Sequence, residues 1–280
     1  MGPVINQNSK TQAEALWQSN AHGLLFTGSV GIGLVEAAEY FASSDKTVTL
    51  WVKPEKDGVV DYEKGSISIS QIRDLYEILK TVDSNGRTVI IDSAEKMAEP
   101  AQNAFLKLLE EPPRFVRFVL LTHSEDRLLP TIRSRVQVVD FKPVTASQTN
   151  DLLDRLGVFD ATKRAQINFI AGGLPAEINK LATDDDYFDK RANIVRDARL
   201  LVSGSGYDKL KIAHKYKDSR HQALQLIDDS LKQLRQTLKG SSDASLNSAL
   251  VEKMNYFVKV YDSVYQNGNI RIQLASTLVV

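Results

Sequence analysis

The segment 88–141, which we call the organising segment, constrains the fold more than any other part of the chain. It contains two short apolar runs, TVIIDS (88–93) and FVRFVLLT (115–122), joined by the helix-like stretch EPAQNAFLKLLEEPP (99–113). Runs of this length and composition are typical of strands buried on both faces, and a connecting helix makes two such strands parallel. A further run, VQVVDF (136–141), can close the sheet. We therefore predict an α/β fold built on a parallel sheet.

A strand, loop and helix upstream have the spacing of a phosphate-binding loop. The apolar run 23–26 leads into GSVGIGLV (28–35), which fits the frame G-x-x-x-x-G. The glycines of this loop are Gly28, Gly31 and Gly33. A working loop continues with a lysine for the outer phosphates and a hydroxyl for Mg²⁺, but Leu34 and Val35 stand there. The loop is therefore either a weak anion cradle or a plain glycine-rich turn, and we expect no bound nucleotide cofactor.

The first run of the organising segment ends in an acidic residue. Asp92 would lie at the carboxyl edge of a parallel sheet, where a carboxylate can orient Mg²⁺ and its water. A working ATPase commonly continues with a glutamate that polarises the attacking water, and Ser93 stands there instead. Because the loop lysine and hydroxyl are also missing, we favour a cap or turn role for Asp92 over a metal role.

Other arrangements that could carry chemistry are weak. Glu110 and Glu111 are adjacent carboxylates, but adjacent residues on a helix do not share a face, which favours a solvated helix end. The chain has no cysteine, which excludes disulfides and thiol chemistry. Its histidines show no metal-ligand spacing, so we expect no metal site. They are His22, His123, His214 and His221.

Charge and hydropathy narrow the class of partner. Lys plus Arg and Asp plus Glu both number 35, so the net charge of zero predicts no bulk attraction to nucleic acid or anionic membrane. A local cluster of Lys215, Lys217 and Arg220 is best interpreted as a solvated helix end. No run approaches the ~20 apolar residues of a membrane span, and no signal pattern opens the sequence. We expect a cytoplasmic protein without a membrane partner.

Local signals predict where several helices begin and end. Ser70 is a candidate cap for a helix whose apolar face continues to Val82 and which the turn DSNG (83–86) ends. Beyond Pro143 the pattern is helical throughout, opening with the capping box Thr145-x-x-Gln148. These signals divide the chain into an α/β part and helical parts.

The run IIDSAEKMAEPAQNAFLKLLEEPP followed by LLPTIRSRVQ closely resembles the bacterial DNA polymerase III clamp-loader AAA+ family. The resemblance rests on the strand-end aspartate, the N-A-x-L-K-x-L-E-E-P-P helix and the S-R-x turn, and extends more loosely over the whole chain. It implies a RecA-like AAA+ P-loop domain at 1–143 and a three-helix lid at 144–184. The remaining residues, 185–280, would be an all-α collar domain that joins five subunits in a ring.

The resemblance also implies a role for one arginine. In this family the arginine of an S-R-C turn is presented to the ATP of a neighbouring subunit as an arginine finger. Ser134 and Arg135 match that turn, while Val136 replaces the cysteine, which should matter little to a role based on charge. The alternative for Arg135 is a surface ion pair, and the nearby Arg133 complicates the assignment.

Departures from the family pattern point to a subunit that does not hydrolyse ATP itself. Ala176 stands where some members carry a sensing arginine, and the four-cysteine zinc module of many members is missing. The resemblance then implies a stator of the DNA polymerase III holoenzyme. Its partners would be tau/gamma ATPase subunits and a delta subunit in a heteropentamer, and through the complex the sliding clamp and primer–template DNA. Two alternatives stay open: an active tau/gamma-like ATPase, and a degenerate AAA+ scaffold of another assembly.

Overall fold

The computed structural model describes residues 2–19, 21–45, 47–80 and 86–279. The chain divides into two compact units, Met1–Thr183 and Asp184–Val280. None of the described helices is long and apolar enough to cross a membrane.

The first unit alternates strands and helices, as the segment 88–141 predicts. Its strands are β1 (Gly23–Gly28), β2 (Val48–Val52), β3 (Glu55–Lys56), β4 (Val59–Val60), β5 (Arg87–Ile91), β6 (Val116–Thr122) and β7 (Gln137–Phe141). Its helices are α1 (Gln7–Gln18), α2 (Leu34–Ser44), α3 (Ile69–Leu79), α4 (Glu99–Glu110), α5 (Pro130–Arg133), α6 (Ala146–Arg155), α7 (Ala161–Ala171) and α8 (Pro175–Thr183). The short strands β3 and β4 form an antiparallel hairpin of their own.

Within the described residues, five strands form one parallel sheet in the order β2-β5-β6-β1-β7. The two apolar runs of the organising segment are the neighbours β5 and β6, which confirms the predicted parallel pair. Strand β7 takes the edge beside β1, with Gly28 opposite Phe141. Because all five strands point the same way, the segments that follow β1, β5 and β6 meet at the carboxyl edge of the sheet.

Helices cover both faces of the sheet, so its strands are apolar throughout. On one face α3 and α4 pack on the sheet, where Phe105 meets Phe118 edge-to-face with ring centroids 5.3 Å apart. On the other face α1 and α2 pack, and Phe26 contacts both Phe41 and Phe141. The organising segment thus lies at the centre of the α/β unit.

The helix signals are confirmed in part. Thr145 and Gln148 form the predicted capping box at the start of α6. The cap of α3, however, is Ser68 and not Ser70, because Ser68 and Gln71 make a reciprocal capping box. The predicted continuation to Val82 lies outside the described residues, as do positions 83–85 of the predicted turn.

The second unit is helical over its described residues. Its helices are α9 (Asp185–Ser203), α10 (Gly206–Lys215), α11 (Arg220–Gly240), α12 (Ala244–Tyr265) and α13 (Ile270–Ser276). The apolar stripe of α11 is buried at Leu226, Ile227 and Leu234, as its helical periodicity indicates. This unit has its own hydrophobic core.

One charged pair is enclosed in the second unit. Asp229 of α11 has no exposed surface, and its Oδ2 accepts a hydrogen bond from Arg191 Nη1 of α9 at 2.9 Å. The Arg191 side chain is also buried, at 6% exposure. Removing one partner of a buried ion pair leaves the other charge uncompensated, and this is far more costly than removing an exposed pair.

We therefore expect Asp229→Ala to destabilise the helical unit by about 3–5 kcal/mol. Urea unfolding followed by circular dichroism measures the change. The matched control is Asp186→Ala, which removes the exposed partner of Lys190 on α9 and should cost less than about 0.5 kcal/mol. Equal effects of the two substitutions would mean that the buried pair has no special role.

Candidate functional site

The glycine loop has the backbone of a tight strand-to-helix turn. Gly31 and Gly33 have φ values of 87° and 90°, in the left-handed region that glycine adopts most readily. At Gly28 a Cβ atom would lie 2.9 Å from the carbonyl oxygen of Phe141 on the neighbouring strand, so a side chain does not fit. The spacing of the glycines therefore predicts the loop geometry correctly.

The residues after the last glycine fill the core instead of facing a phosphate. Leu34 is 3% exposed and belongs to the core beneath α2, and Val35 packs partly buried against the same core. Glu36 Oε2 lies 3.4 Å from the position of a Cβ on Gly33. A carboxylate at a helix N-terminus stabilises the helix, but it also repels an incoming phosphate.

Helix α8 lies directly against the glycine loop. The Gly31 carbonyl oxygen accepts hydrogen bonds from the backbone N–H groups of Ala176 and Glu177, at 3.0 and 3.2 Å. A Cβ on Gly31 would lie 3.1 Å from the Glu177 Cβ, and one on Gly33 would lie 3.8 Å from the Ala176 Cβ. Ala176, the predicted site of a missing arginine, is therefore beside the loop and offers it no charge.

Two cavities adjoin the glycine loop. One, of about 130 Å³, is bounded by the loop, α8 and the end of β5, and its lining includes Leu34, Val35, Glu36, Asp92 and Ser93. The other, of about 320 Å³, is lined by Gly33, Glu36 and Ala176 among others. Ligand pockets of drug-sized molecules typically have volumes of about 300–1,000 Å³, so the cavity beside Asp92 is below this range.

Asp92 is occupied by a partner from the segment between β2 and α3. It is 6% exposed, and its Oδ2 accepts a hydrogen bond from the Tyr62 hydroxyl at 2.8 Å. Partial burial and the Asp92 carboxylate raise the pKa of Tyr62 to about 12, so the hydroxyl stays a donor at neutral pH. Ser93 has φ 55° and opens a 3₁₀ turn. The carboxylate of Asp92 thus binds a tyrosine, a role that differs from the predicted cap.

The end of β6 also faces inward. The Thr122 hydroxyl is fully buried and accepts a hydrogen bond from the backbone N–H of Ser124 at 3.1 Å. His123 Nδ1 lies 2.7 Å from the Gly28 carbonyl oxygen, so that nitrogen carries the proton. Sequence reasoning missed this contact. Among the described residues no cluster of acidic and histidine side chains could hold a metal ion.

The S-R turn follows α5 and leaves Arg135 exposed. The guanidinium Nη2 lies 2.8 Å from Glu110 Oε1 at the end of α4. Its Nη1 donates to the Thr131 carbonyl oxygen at 3.0 Å and to Ser134 Oγ at 3.3 Å. With 36% of its side chain exposed, Arg135 is both a surface ion-pair residue and an accessible cation.

The two arginines of the turn have different ion-pair partners. Arg133 pairs with Glu125 at 3.5 Å and does not share the partner of Arg135. Val136 is 7% exposed and belongs to the core, where an apolar side chain serves as well as cysteine. Glu110, assigned from the sequence to a solvated helix end, is half-exposed but paired.

Sheet topology separates Arg135 from the glycine loop. Arg135 precedes β7, and its carbonyl oxygen lies 3.3 Å from the position of a Cβ on Gly23, at the start of β1. The loop begins at the other end of β1, where Gly28 pairs with Phe141. Five strand residues span roughly 16 Å. The S-R turn therefore lies at the amino ends of the parallel strands, and the loop lies at their carboxyl ends. Arg135 therefore cannot act on a ligand in the loop of its own chain.

Two residues of the basic cluster in the second unit contact oxygen atoms of the same unit. Lys215 Nζ contacts Asp197 at 2.5 Å, and Arg220 Nε donates to the Val264 carbonyl oxygen at 2.9 Å. These contacts agree with the interpretation of the cluster as a helix end.

Comparison with known proteins shows a similarity to clamp-loader subunits. Residues 50–145 match the family model described as DNA polymerase III, delta subunit. The delta-prime subunit of Bacillus subtilis (strain 168) is 28% identical over 227 residues, covering 74% of this chain and 68% of that protein. The delta-prime subunit of Pseudomonas aeruginosa is 29% identical over 220 residues, covering 68% of this chain and 66% of that protein. The chain is therefore similar to subunits of the bacterial DNA polymerase III clamp loader, delta-prime among them.

Other clamp-loader proteins align with a larger share of this chain than the two delta-prime subunits do. The tau subunit of Bacillus subtilis is 28% identical over 286 residues, covering 91% of this chain and 48% of that protein. A solved structure of a Thermotoga maritima protein related to the gamma subunit superposes with a TM-score of 0.52 at 20% identity, covering 97% of both chains. The fold is therefore the AAA+ P-loop fold, with α6–α8 and the all-α unit following the sheet.

The contact between Tyr62 and Asp92 predicts an unusual tyrosine titration. Because its pKa is raised to about 12, Tyr62 should ionise well above the ordinary value of 10, and its contribution to stability should be lost as the pH rises from 10 to 12. The difference in phenolate absorbance between the unmodified protein and Tyr62→Phe isolates this group. A difference curve centred near pH 10 would contradict the contact.

Proposed function

We propose that this chain is a non-catalytic, delta-prime-like stator of the DNA polymerase III clamp loader. It scaffolds a heteropentamer and supplies Arg135 in trans to the ATP of a neighbouring ATPase subunit, so that the complex can load a sliding clamp during DNA replication. The supporting observation is the position of Arg135, an accessible guanidinium at the sheet edge opposite its own glycine loop.

Arg135 is suited to this role by its charge and by its exposure at the surface. A guanidinium at a neighbouring γ-phosphate stabilises the charge that develops during transfer, and such fingers contribute about 10³–10⁵ in rate. The S-R turn keeps the residue on the surface beside a short helix, within reach of another subunit. Ser134 contributes by orienting Nη1.

The chain lacks three side chains that ATP hydrolysis needs. Leu34 and Val35 replace the lysine and the Mg²⁺ ligand, and Ser93 replaces the acid that would polarise water. Helix α8 is hydrogen-bonded to the loop, and the Tyr62 hydroxyl is hydrogen-bonded to the carboxylate of Asp92. We therefore assign no cofactor to the chain.

Three segments have separate roles in this proposal. Residues 1–143 form a degenerate nucleotide-binding domain, 144–184 form a lid, and 185–280 form the collar through which the subunits assemble. The partners are tau/gamma ATPase subunits and a delta subunit in the cytoplasm, with the sliding clamp and primer–template DNA engaged through the complex. The relatives named delta-prime and tau support such partners.

The second candidate is an active tau/gamma-like ATPase. The match to tau over 91% of the chain favours it, since it covers more of the chain than either delta-prime match. Leu34 and Val35 weigh more heavily against it, because neither side chain can bind phosphate or Mg²⁺. A degenerate scaffold of some other assembly would differ from the first candidate in its partners alone.

We expect no ATP turnover by the purified chain. A coupled assay that detects released phosphate measures this, with Asp92→Ala as the matched variant. Turnover that Asp92→Ala abolishes would contradict the stator proposal and favour the tau/gamma-like alternative.

In the reconstituted clamp loader we expect Arg135→Ala to slow ATP hydrolysis by at least tenfold while the subunits still assemble. The reason is the loss of charge stabilisation at one neighbouring site, which lowers kcat in the transition state. Arg133→Ala is the control, because Arg133 has a different partner and should leave the rate unchanged. Equal rates for the unmodified and Arg135→Ala complexes would make Arg135 a structural residue.

A further inference from the structure

The group that the proposed function sends to another subunit already has a carboxylate partner. Arg135 Nη2 contacts Glu110 Oε1 at 2.8 Å, while Nη1 is held by the Thr131 carbonyl oxygen and Ser134 Oγ. The side chains of Arg135 and Glu110 are 36% and 51% exposed. Any phosphate that Arg135 reaches must therefore compete with Glu110.

The place of Glu110 in the fold explains why the pair forms. Glu110 is the last residue of α4, where the helix dipole is negative and a carboxylate is unfavourable. Pro112 and Pro113 follow and prevent the helix from continuing past it. A guanidinium from the S-R turn relieves this unfavourable charge, so the two motifs meet although 25 positions separate them.

We propose that Glu110 is a latch that holds Arg135 on its own subunit until a neighbouring nucleotide displaces it. This inference rests on the proposed function of Arg135 as a finger in trans. Glu110 is a positioning residue, since it acts through Arg135 and touches no substrate.

The chemistry favours a restraining role over an orienting one. The contacts of Nη1 are with neutral oxygens, which orient the guanidinium without cancelling its charge. Glu110 takes Nη2 with a full negative charge, and the same charge repels a phosphate that approaches Arg135. Removing this charge therefore frees a donor and leaves the orienting contacts in place.

The latch must also be weak. Both partners are exposed, and exposed ion pairs of this kind shift an equilibrium by no more than about fivefold. A terminal phosphate carries more charge than one carboxylate and can accept two parallel N–H donors from a guanidinium. Displacement of Glu110 by a neighbouring nucleotide is then favourable, whereas an empty neighbouring site leaves Arg135 paired.

The test is Glu110→Gln in the reconstituted clamp loader, with ATP turnover as the readout. Glutamine keeps the size of the side chain and removes its charge. We expect kcat/KM for ATP to rise about two- to fivefold, through a lower KM and with little change in kcat, because Glu110 no longer competes with the bound nucleotide for Arg135. An unchanged or lower kcat/KM overturns the latch.

Two matched variants make the result specific. Glu111→Gln removes the adjacent carboxylate, which is not among the contacts of Arg135, and should leave kcat/KM unchanged. Glu110→Gln combined with Arg135→Ala should hydrolyse ATP no faster than Arg135→Ala alone, since no finger remains to be released. Acceleration by Glu111→Gln, or acceleration in the absence of Arg135, contradicts the latch.

The failure of the latch and the failure of the proposed function give different results. If Arg135→Ala slows the complex but Glu110→Gln does not accelerate it, the latch is wrong and the finger stands. If Arg135→Ala has no effect, both are wrong. Thermal unfolding of the isolated chain checks that Glu110→Gln is folded, and Glu110→Ala, which also removes the charge, should give the same rise in kcat/KM.

Discussion

The parallel pairing of β1 with β6 and β7 determines where the glycine loop and the S-R turn lie. This pairing places the glycine loop at the carboxyl edge of the sheet, while the S-R turn precedes β7 at the opposite edge. A single chain with this topology cannot bring Arg135 to its own loop, whatever the loop contains. A guanidinium at that edge can act on phosphates only if another molecule brings them, and the similarity to clamp-loader subunits is the reason we propose such a neighbour.

The two edges have opposite properties. At the carboxyl edge, Leu34 is in the core, Gly31 binds the start of α8, and Tyr62 occupies Asp92. These contacts join the glycine loop and the Asp92 carboxylate to other parts of the same chain. At the other edge the cation stays exposed, and its contact with Glu110 is one that solvent and competing anions can weaken.

The sequence predicts the parts of this arrangement that depend on neighbours along the chain. The strands β1, β5, β6 and β7, the glycine turn after β1 and the capping box at Thr145 were predicted correctly, because apolar runs, glycine spacing and capping residues are local signals. The short strands β3 and β4 were not predicted. The cap of α3 was predicted wrongly at Ser70, although Gln71 lies three residues after Ser68 and marks the true box. The contacts of Tyr62 with Asp92 and of Glu110 with Arg135 had no local signal, since each joins residues that only the folded sheet brings together. The burial of Asp229 was missed for the same reason: its partner, Arg191, lies on another helix.

A structure of the reconstituted clamp loader with a non-hydrolysable ATP analogue, determined by electron cryomicroscopy, tests the central claim most directly. We expect the Arg135 guanidinium to lie within hydrogen-bonding distance, about 3 Å, of the γ-phosphate held by the neighbouring ATPase subunit. The loop at residues 28–35 should hold no nucleotide. Nucleotide density in that loop, or an Arg135 far from every phosphate in the assembled ring, would contradict the account.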